Sequence, residues 1–378
     1  MKTTIFNKKA HAFFGAAALL FAAVFTIGCK TEISSSDPAP ETFTVEMKAG
    51  EHGTLSANPV IPASGKVAKD TVITFTANPV SGYKVDKWTI TGGSFETGTG
   101  TDGSKTAKVK ISANTKVNVS FKVAVYDTVS FANLNTYLKD TASSADINYI
   151  KVTGLTAADL KGDRGFYKPS PLGKILKDNP TKKVALKLEE ISGLTDMTYC
   201  FLECTNLAQA PVIPSSVTNM NSCFYNCTSL TQAPVIPSGV TDMGGCFKNC
   251  TSLTQAPVIP SNVTDMRYCF KGCISLTQAP EIPSSVTHMY GCFQSCTSLT
   301  QAPVIPNSVT SMQLCFSGCK EITAVTLKCN YNAGGFSSAF YDCEKLTAGS
   351  IKVPAGQLQT YKDNASIMGT EPDRFVAE

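Results

Sequence analysis

Histidine and tryptophan are almost missing from this chain, with three and one among 378 residues. His11 lies in an apolar leader and His52 in GEHG, away from any cluster of acids or cysteines. His288 stands at a position that is asparagine, aspartate or serine in related segments. None has the partner that acid–base or metal chemistry requires. Charged residues are few, at 16%. Setting aside Lys2, Lys8 and Lys9 in the acid-free first 28 residues leaves 30 Lys plus Arg against 29 Asp plus Glu. That balance removes the electrostatic reason to expect nucleic acid or an anionic lipid surface as a partner. No cysteines stand two residues apart as CxxC, which excludes a redox centre of that type. GTGTDG, Gly98 to Gly103, lacks the lysine of a phosphate loop. Asp242 and Asp265 occupy a varying turn position and define no catalytic carboxylate pair. The expectation is a non-enzyme without a cofactor.

What is present begins with export. MKTTIFNKKAHAFFGAAALLFAAVFTIGCK has a basic start and an apolar run, Phe13 to Ile27, that is short for a membrane span, followed by Gly28-Cys29. This resembles a bacterial lipoprotein signal, with Thr26 in place of the usual leucine. The resemblance implies cleavage before Cys29 and lipidation of its sulfur, each buried methylene contributing about 0.8 kcal/mol of membrane anchoring. Residues 1–28 are thus expected to be a signal peptide. Residues 29–42, including KTEISSSDPAPET, read as a flexible tether.

Residues 43–123 change to period two. Phe43, Val45 and Met47 alternate with polar residues, and Val117, Val119 and Phe121 close the segment. Asn78-Pro79 and Ser81-Gly82 supply turns. A small one-sided antiparallel sheet is expected, with Trp88 packed in or beside its core rather than serving as a sugar platform. The stretches GEHGTLSANP, VAKDTVITFTANPVSGYKVDKWTI and KVNVSFK resemble the divergent internalin-type B repeat, which implies a spacer or accessory role.

A repeat dominates the rest. Met197, Met220, Met243, Met266, Met289 and Met312 recur every 23 residues. Cys200, Cys223, Cys246, Cys269, Cys292 and Cys315 follow them, each succeeded by phenylalanine, and a second series stands at Cys204, Cys227, Cys250, Cys273, Cys296 and Cys319. A 23-residue unit buries its apolar positions only by stacking on its neighbours. Leu230, Ala233 and Val235 read as a brief strand, interrupted at Pro234 and Pro237 because proline lacks an N–H. The unit resembles the bacterial-surface (BspA-like) leucine-rich repeat, AFxGCxSLTxVxIPxSVTxI. The fold class expected is therefore mainly β: a leucine-rich-repeat solenoid of short strands and irregular or 3-10 turns over residues 191–354, plus the small N-terminal β domain.

The paired cysteines are expected to point inward as two columns of free thiols, which puts about fourteen titratable thiols in the lipidated product. Coils about 4.8 Å apart also permit vertical disulfides. Cys329 and Cys343 are the leading pair for one. Zinc is the weaker reading, since twelve thiols in columns define no unique set of four.

Residues 124–190 read as an N-terminal cap shielding the first coil's strand edge, with strands in INYIKVTGL and KKVALKLEEISGL and short helices at Val129 to Leu138, TAADLKG and PLGKILKDNP. Residues 355–378 read as a C-terminal cap and tail in which Leu358 and Tyr361 pack. What varies from coil to coil lies on the surface: Tyr225, Lys248, Arg267, Tyr268, Lys271, Tyr290, Gln294 and Gln313 form the candidate binding face. The signal resemblance implies a lipid anchor at the bacterial envelope, expected at the outer membrane with periplasmic or external orientation left open, and the repeat resemblance implies binding to an extracellular or host protein; a monomer is expected. A plain envelope spacer, or a carbohydrate-binding accessory, is the alternative.

Overall fold

The computed structural model describes residues 40–378. The leader, Cys29 and most of the tether lie outside the described residues.

The N-terminal module is built from β1 (Thr42–Ala49), β2 (Gly53–Asn58), β3 (Lys66–Ala68), β4 (Val72–Pro79), β5 (Tyr83–Thr91), β6 (Thr106–Lys110) and β7 (Thr115–Val123). These strands form two sheets, β3-β1-β7-β5 and β2-β4-β6, rather than the single one-sided sheet expected. All pairs are antiparallel except β1 with β7. Strand alternation fills one core: Ile73, Phe75 and Ala77 of β4 and Ala107 and Val109 of β6 join Val85 and Trp88 of β5 and Val117 and Val119 of β7. Trp88 is 4% exposed, and its Nε1 donates to Ser104 O at 2.8 Å. Burial leaves its ring unable to serve as a sugar-stacking platform. His52 is a turn residue, with φ +69° and its ring stacked on Tyr83.

Next come β8 (Asp127–Ser130), α1 (Phe131–Asp140), β9 (Asn148–Thr153), a 3-10 turn (Ala157–Leu160), α2 (Pro171–Lys177), β10 (Val184–Leu188) and β11 (Leu207–Gln209). Helix α1 buries Leu134 and Leu138, one turn apart, and begins at Phe131; Val129, expected to start it, is instead a buried strand residue. Pro171 opens α2, where Ser170 Oγ accepts from Gly173 N and donates to Cys200 O at 2.8 Å, tying the cap to the first coil. The four strands pair in parallel in the order β11-β10-β9-β8. The region is therefore less a shield than a run of longer coils that continue the stack, with the open edge passed to β8.

From Leu194 onward the repeat is read in columns. The six methionines and both cysteine series are buried at 0% exposure. Phe201, Phe224, Phe247, Phe270, Phe293, Phe316 and Phe340 stack in a displaced, near-parallel column, with centroids 5.4 to 5.9 Å apart and planes within 15° of parallel. Such offset stacks are favourable as well as apolar. Phe336 takes the methionine's place in the last irregular coil and Ala339 the first cysteine's, both fully buried.

Prolines decide where strands form. Between successive coils carrying APVIP or APEIP, cross-coil pairing at this segment is reduced to single bridges such as Gln232 with Gln255 and Gln278 with Gln301. Val235 is 88% exposed while Ile236 is buried, so the expected inward alternation ending at Val235 is shifted by one residue. Continuous ladders return beside the coils that lack these prolines: β13 (Val325–Leu327) pairs with β14 (Ile351–Val353) and also recruits β12 (Val304–Ile305) from between Pro303 and Pro306. Helix α3 (Leu358–Asp363) packs the fully buried Tyr361 under the stack. The expected tail instead ends in β15 (Phe375–Ala377), a parallel strand on β14. One hydrophobic core runs unbroken from Val129 to Phe375.

Cys329 and Cys343 are free, as are the other described cysteines. Cys343 continues the second thiol column, while the Cys329 sulfur lies 3.7 Å from the Tyr361 hydroxyl. The proposed disulfide between them is thus corrected.

Candidate functional site

The turn through Met-x-x-Cys-Phe-x-x-Cys places its residues by an unusual backbone. In each coil the residue before each cysteine is left-handed: Ser222 and Asn226, Gly245 and Asn249, Tyr268 and Gly272, Gly291 and Ser295 all have φ between +51° and +72°. Asn and Gly adopt this conformation readily, but a bulky side chain there costs roughly 1–2 kcal/mol. Tyr268, at φ +56°, carries that cost. Its ring lies over Gly291 in the next coil, where an added Cβ would come within 2.8 Å of the ring. Glycine at 291 makes the room that Tyr268 occupies.

Around Tyr268 five of the eight face residues meet. Lys248 Nζ lies 4.6 Å from the Tyr225 ring centroid and 5.5 Å from that of Tyr268, and Lys271 Nζ lies 5.4 Å from Tyr268 on its own coil. Tyr290 meets Tyr268 edge-on at 4.9 Å. The cluster spans four successive coils. Neither lysine has a carboxylate partner among the described residues. Burial, then repulsion from Lys248, lowers the Lys271 pKa. Burial and the adjacent Tyr290 phenol push Tyr268 up to about 12, so its hydroxyl keeps its proton.

The other three face residues are placed differently. Arg267 is clamped on Asp265, its Nε 2.8 Å from Oδ2, so its charge is already matched. Gln313 bonds within the stack, accepting from Ser311 at 2.7 Å and donating to Gly334 O. Gln294 borders the cluster, and its buried Oε1 has no hydrogen-bond partner. Beyond these, the sequence reading missed RGFYK: Phe166 and Tyr167 are exposed, and Tyr167 packs edge-on at 5.7 Å against Tyr199. Tyr199 stands in the same column as Tyr268, three coils earlier. The aromatic dipeptide in a polar loop was the available signal.

The two thiol columns face inward and take no part in this surface. The second series carries a bond that side-chain size alone does not suggest. Cys227, Cys250, Cys273 and Cys296 each donate Sγ–H to the phenylalanine carbonyl of the preceding coil at 3.1 Å. Burial raises the pKa of Cys223, Cys246, Cys269, Cys292 and Cys315 in the first series and of Cys204, Cys227, Cys250, Cys273, Cys296 and Cys319 in the second, so these thiols stay protonated and unreactive at neutral pH. Among the described residues no group of three His, Cys, Asp or Glu side chains is placed to hold a metal ion. His288 is exposed. Among the described residues no helix is long and apolar enough to cross a membrane.

Residues 197–300 and 244–365 match the BspA type leucine-rich repeat region, and residues 43–125 match the divergent InlB B-repeat domain. The chain therefore carries a BspA-type leucine-rich repeat region preceded by a divergent InlB-like repeat domain. No curated protein matches it. Among solved structures, it is similar to a leucine-rich repeat protein of T. pallidum at 22% identity, covering 51% of this chain and 84% of that one, with a TM-score of 0.36. It is also similar to a leucine-rich repeat protein of Bacteroides ovatus at 18% identity, covering 51% of this chain and 62% of the other, with a TM-score of 0.29.

Proposed function

We propose that this is a bacterial outer-membrane surface protein, lipid-anchored through Cys29, whose solenoid binds an extracellular protein at the face centred on Tyr268. The observation that supports this reading most is the position of Lys248 between the rings of Tyr225 and Tyr268, with Lys271 beside it and no acid to neutralise either. Cation–ring contacts hold each ammonium in place by roughly 0.5–1 kcal/mol at exposed sites. Two repelling cations among rigid aromatic anchors favour an acidic segment of a partner protein, because it relieves the repulsion as it binds.

Two measurements test the proposal. Protease treatment of intact cells, read with an antibody against the solenoid, should degrade it; protection until the envelope is broken would refute surface display. Replacing both lysines (K248E/K271E) should abolish binding to acidic extracellular proteins while leaving the fold intact. Unchanged binding would return the solenoid to a spacer role.

A further inference from the structure

The N-terminal module rests on the first coils of the solenoid through side chains of the repeat itself. Gln209 Nε2 donates to Tyr83 O at 3.1 Å, Gln232 Nε2 donates to Asn78 O at 3.1 Å, and Ser81 Oγ donates to Ala210 O at 2.9 Å. Beside this contact a cleft of about 780 Å³ opens between the two parts. One wall carries Lys84, Lys105 and Lys122, and the facing wall carries Lys183 and Tyr149. Only Lys122 is neutralised, by Asp86 at 2.7 Å. Lys84, Lys105 and Lys183 make no ion pair among the described residues. The remaining acids, Asp102 and Asp146, are exposed.

Lys105 is the most enclosed of these cations. It precedes β6 in the module, whereas Lys183 directly precedes β10 in the solenoid, and the two are near enough for their charges to repel. Burial, then Lys183, lowers the Lys105 pKa to about 8. Tyr149, raised to about 12 by burial and then by Tyr126, keeps a phenolic proton to donate. Hydroxyls of Ser229, Thr231 and Ser252 complete the lining. The enclosed Lys105 ammonium has no counter-charge and is repelled by Lys183 at the exposed rim of the cleft, and an anion bridging the two would offset both costs.

We propose that this cleft binds a small oxyanion, a sulfate, phosphate or carboxylate group, held between Lys105 and Lys183 and so fastening the module to the solenoid. Tyr149 and the cleft hydroxyls donate to the remaining oxygens. The site shares no residue with the Tyr268 face and stands independently of it.

Sulfate is the cleanest probe because its charge does not change between pH 6.5 and 9. Calorimetric titration of the full chain should show one saturable site at pH 6.5, weakened up to about tenfold at pH 9 as Lys105 loses its proton. K105M and K183M should each weaken binding at least tenfold while keeping the wild-type circular dichroism. K105R should bind at both pH values, since guanidinium stays charged; a merely structural role for Lys105 would not produce that rescue. A sulfated monosaccharide binding tenfold more tightly than sulfate would assign the anion to a larger ligand, and equal affinity would assign it to the free ion. Either result supports the site. Absence of saturable binding, binding that survives both methionine variants, or binding unchanged at pH 9 would overturn it. K248E/K271E should leave the titration unaltered, which separates this result from the fate of the face.

Discussion

The β module and the solenoid bury similar side chains by opposite means. In the module, strands distant in sequence alternate inward and outward, and each core residue has a different set of neighbours, as Trp88 has with Phe95 and Ser104. In the solenoid, each core residue packs on its own equivalent one coil away, phenylalanine on phenylalanine. Strand pairing is plentiful in the first and reduced to isolated bridges through much of the second. Backbone groups of the solenoid's turns are satisfied instead by the next coil, as Phe247 N donates to Cys269 O at 2.9 Å. The difference teaches that identical stacked environments can replace a regular ladder, provided every coil presents the same donors at the same height.

Alkali should separate the two regions most sharply. The module has no cysteine, whereas burial raises the solenoid's thiols, Cys343 to about 12 and Cys227 and Cys269 well above the ordinary thiol value. A raised thiol pKa contributes stability that is whole below the unfolded value of about 8.5 and is lost as pH climbs toward the folded value. Each such thiol loses roughly 1 kcal/mol per pH unit in that window, and folded domains have only about 5–15 kcal/mol to lose. Circular dichroism and tryptophan fluorescence followed from pH 8 to 11 should therefore show the solenoid unfolding while Trp88 stays buried. Simultaneous loss of both signals would break the comparison.

A smaller effect comes from interrupting one column. Phe270→Ala leaves a gap between Phe247 and Phe293 and should cost about 3–5 kcal/mol in urea unfolding of the solenoid. Smaller again, Cys250→Ala removes the thiol donor to Phe224 O together with one sulfur's packing, and should cost about 1–2 kcal/mol. A cost below a few tenths would reduce the second column to mere filler. Smallest is Tyr268→Gly, where relief of the left-handed strain offsets lost packing to within about 1 kcal/mol. The same variant should lose partner binding, and a large stability loss would instead make Tyr268 structural.

Periodicity made the solenoid legible because every coil repeats one environment, so that a 23-residue spacing translates directly into columns. Features that depend on a single place in the stack were hidden. Gln209 and Gln232 look like Gln255, Gln278 and Gln301, and only distant contacts single out the two that hold the module. The left-handed positions were masked where Tyr268 and Leu314 replace the asparagine or glycine that would have signalled them. Val235 faces out because flanking prolines set the local backbone, which simple alternation does not foresee. The second cysteine of each coil was read only as an inward-facing thiol, and its capacity to donate to the preceding coil went unnoticed. Variability grouped eight residues as a candidate face, of which Tyr225, Lys248, Tyr268, Lys271 and Tyr290 touch one another, whereas the existing commitments of Arg267 and Gln313 were not legible, since those depend on neighbours outside the repeat pattern.

Everything rests on the cysteine columns lying inside a dry stack, and thiol counting addresses that directly. With the native protein at neutral pH, a bulky disulfide reagent should find essentially no reactive cysteine in the repeats; after denaturation without reductant it should find all fourteen described thiols. Rapid labelling of the folded chain, or a shortfall on unfolding that signals disulfides, would contradict the account.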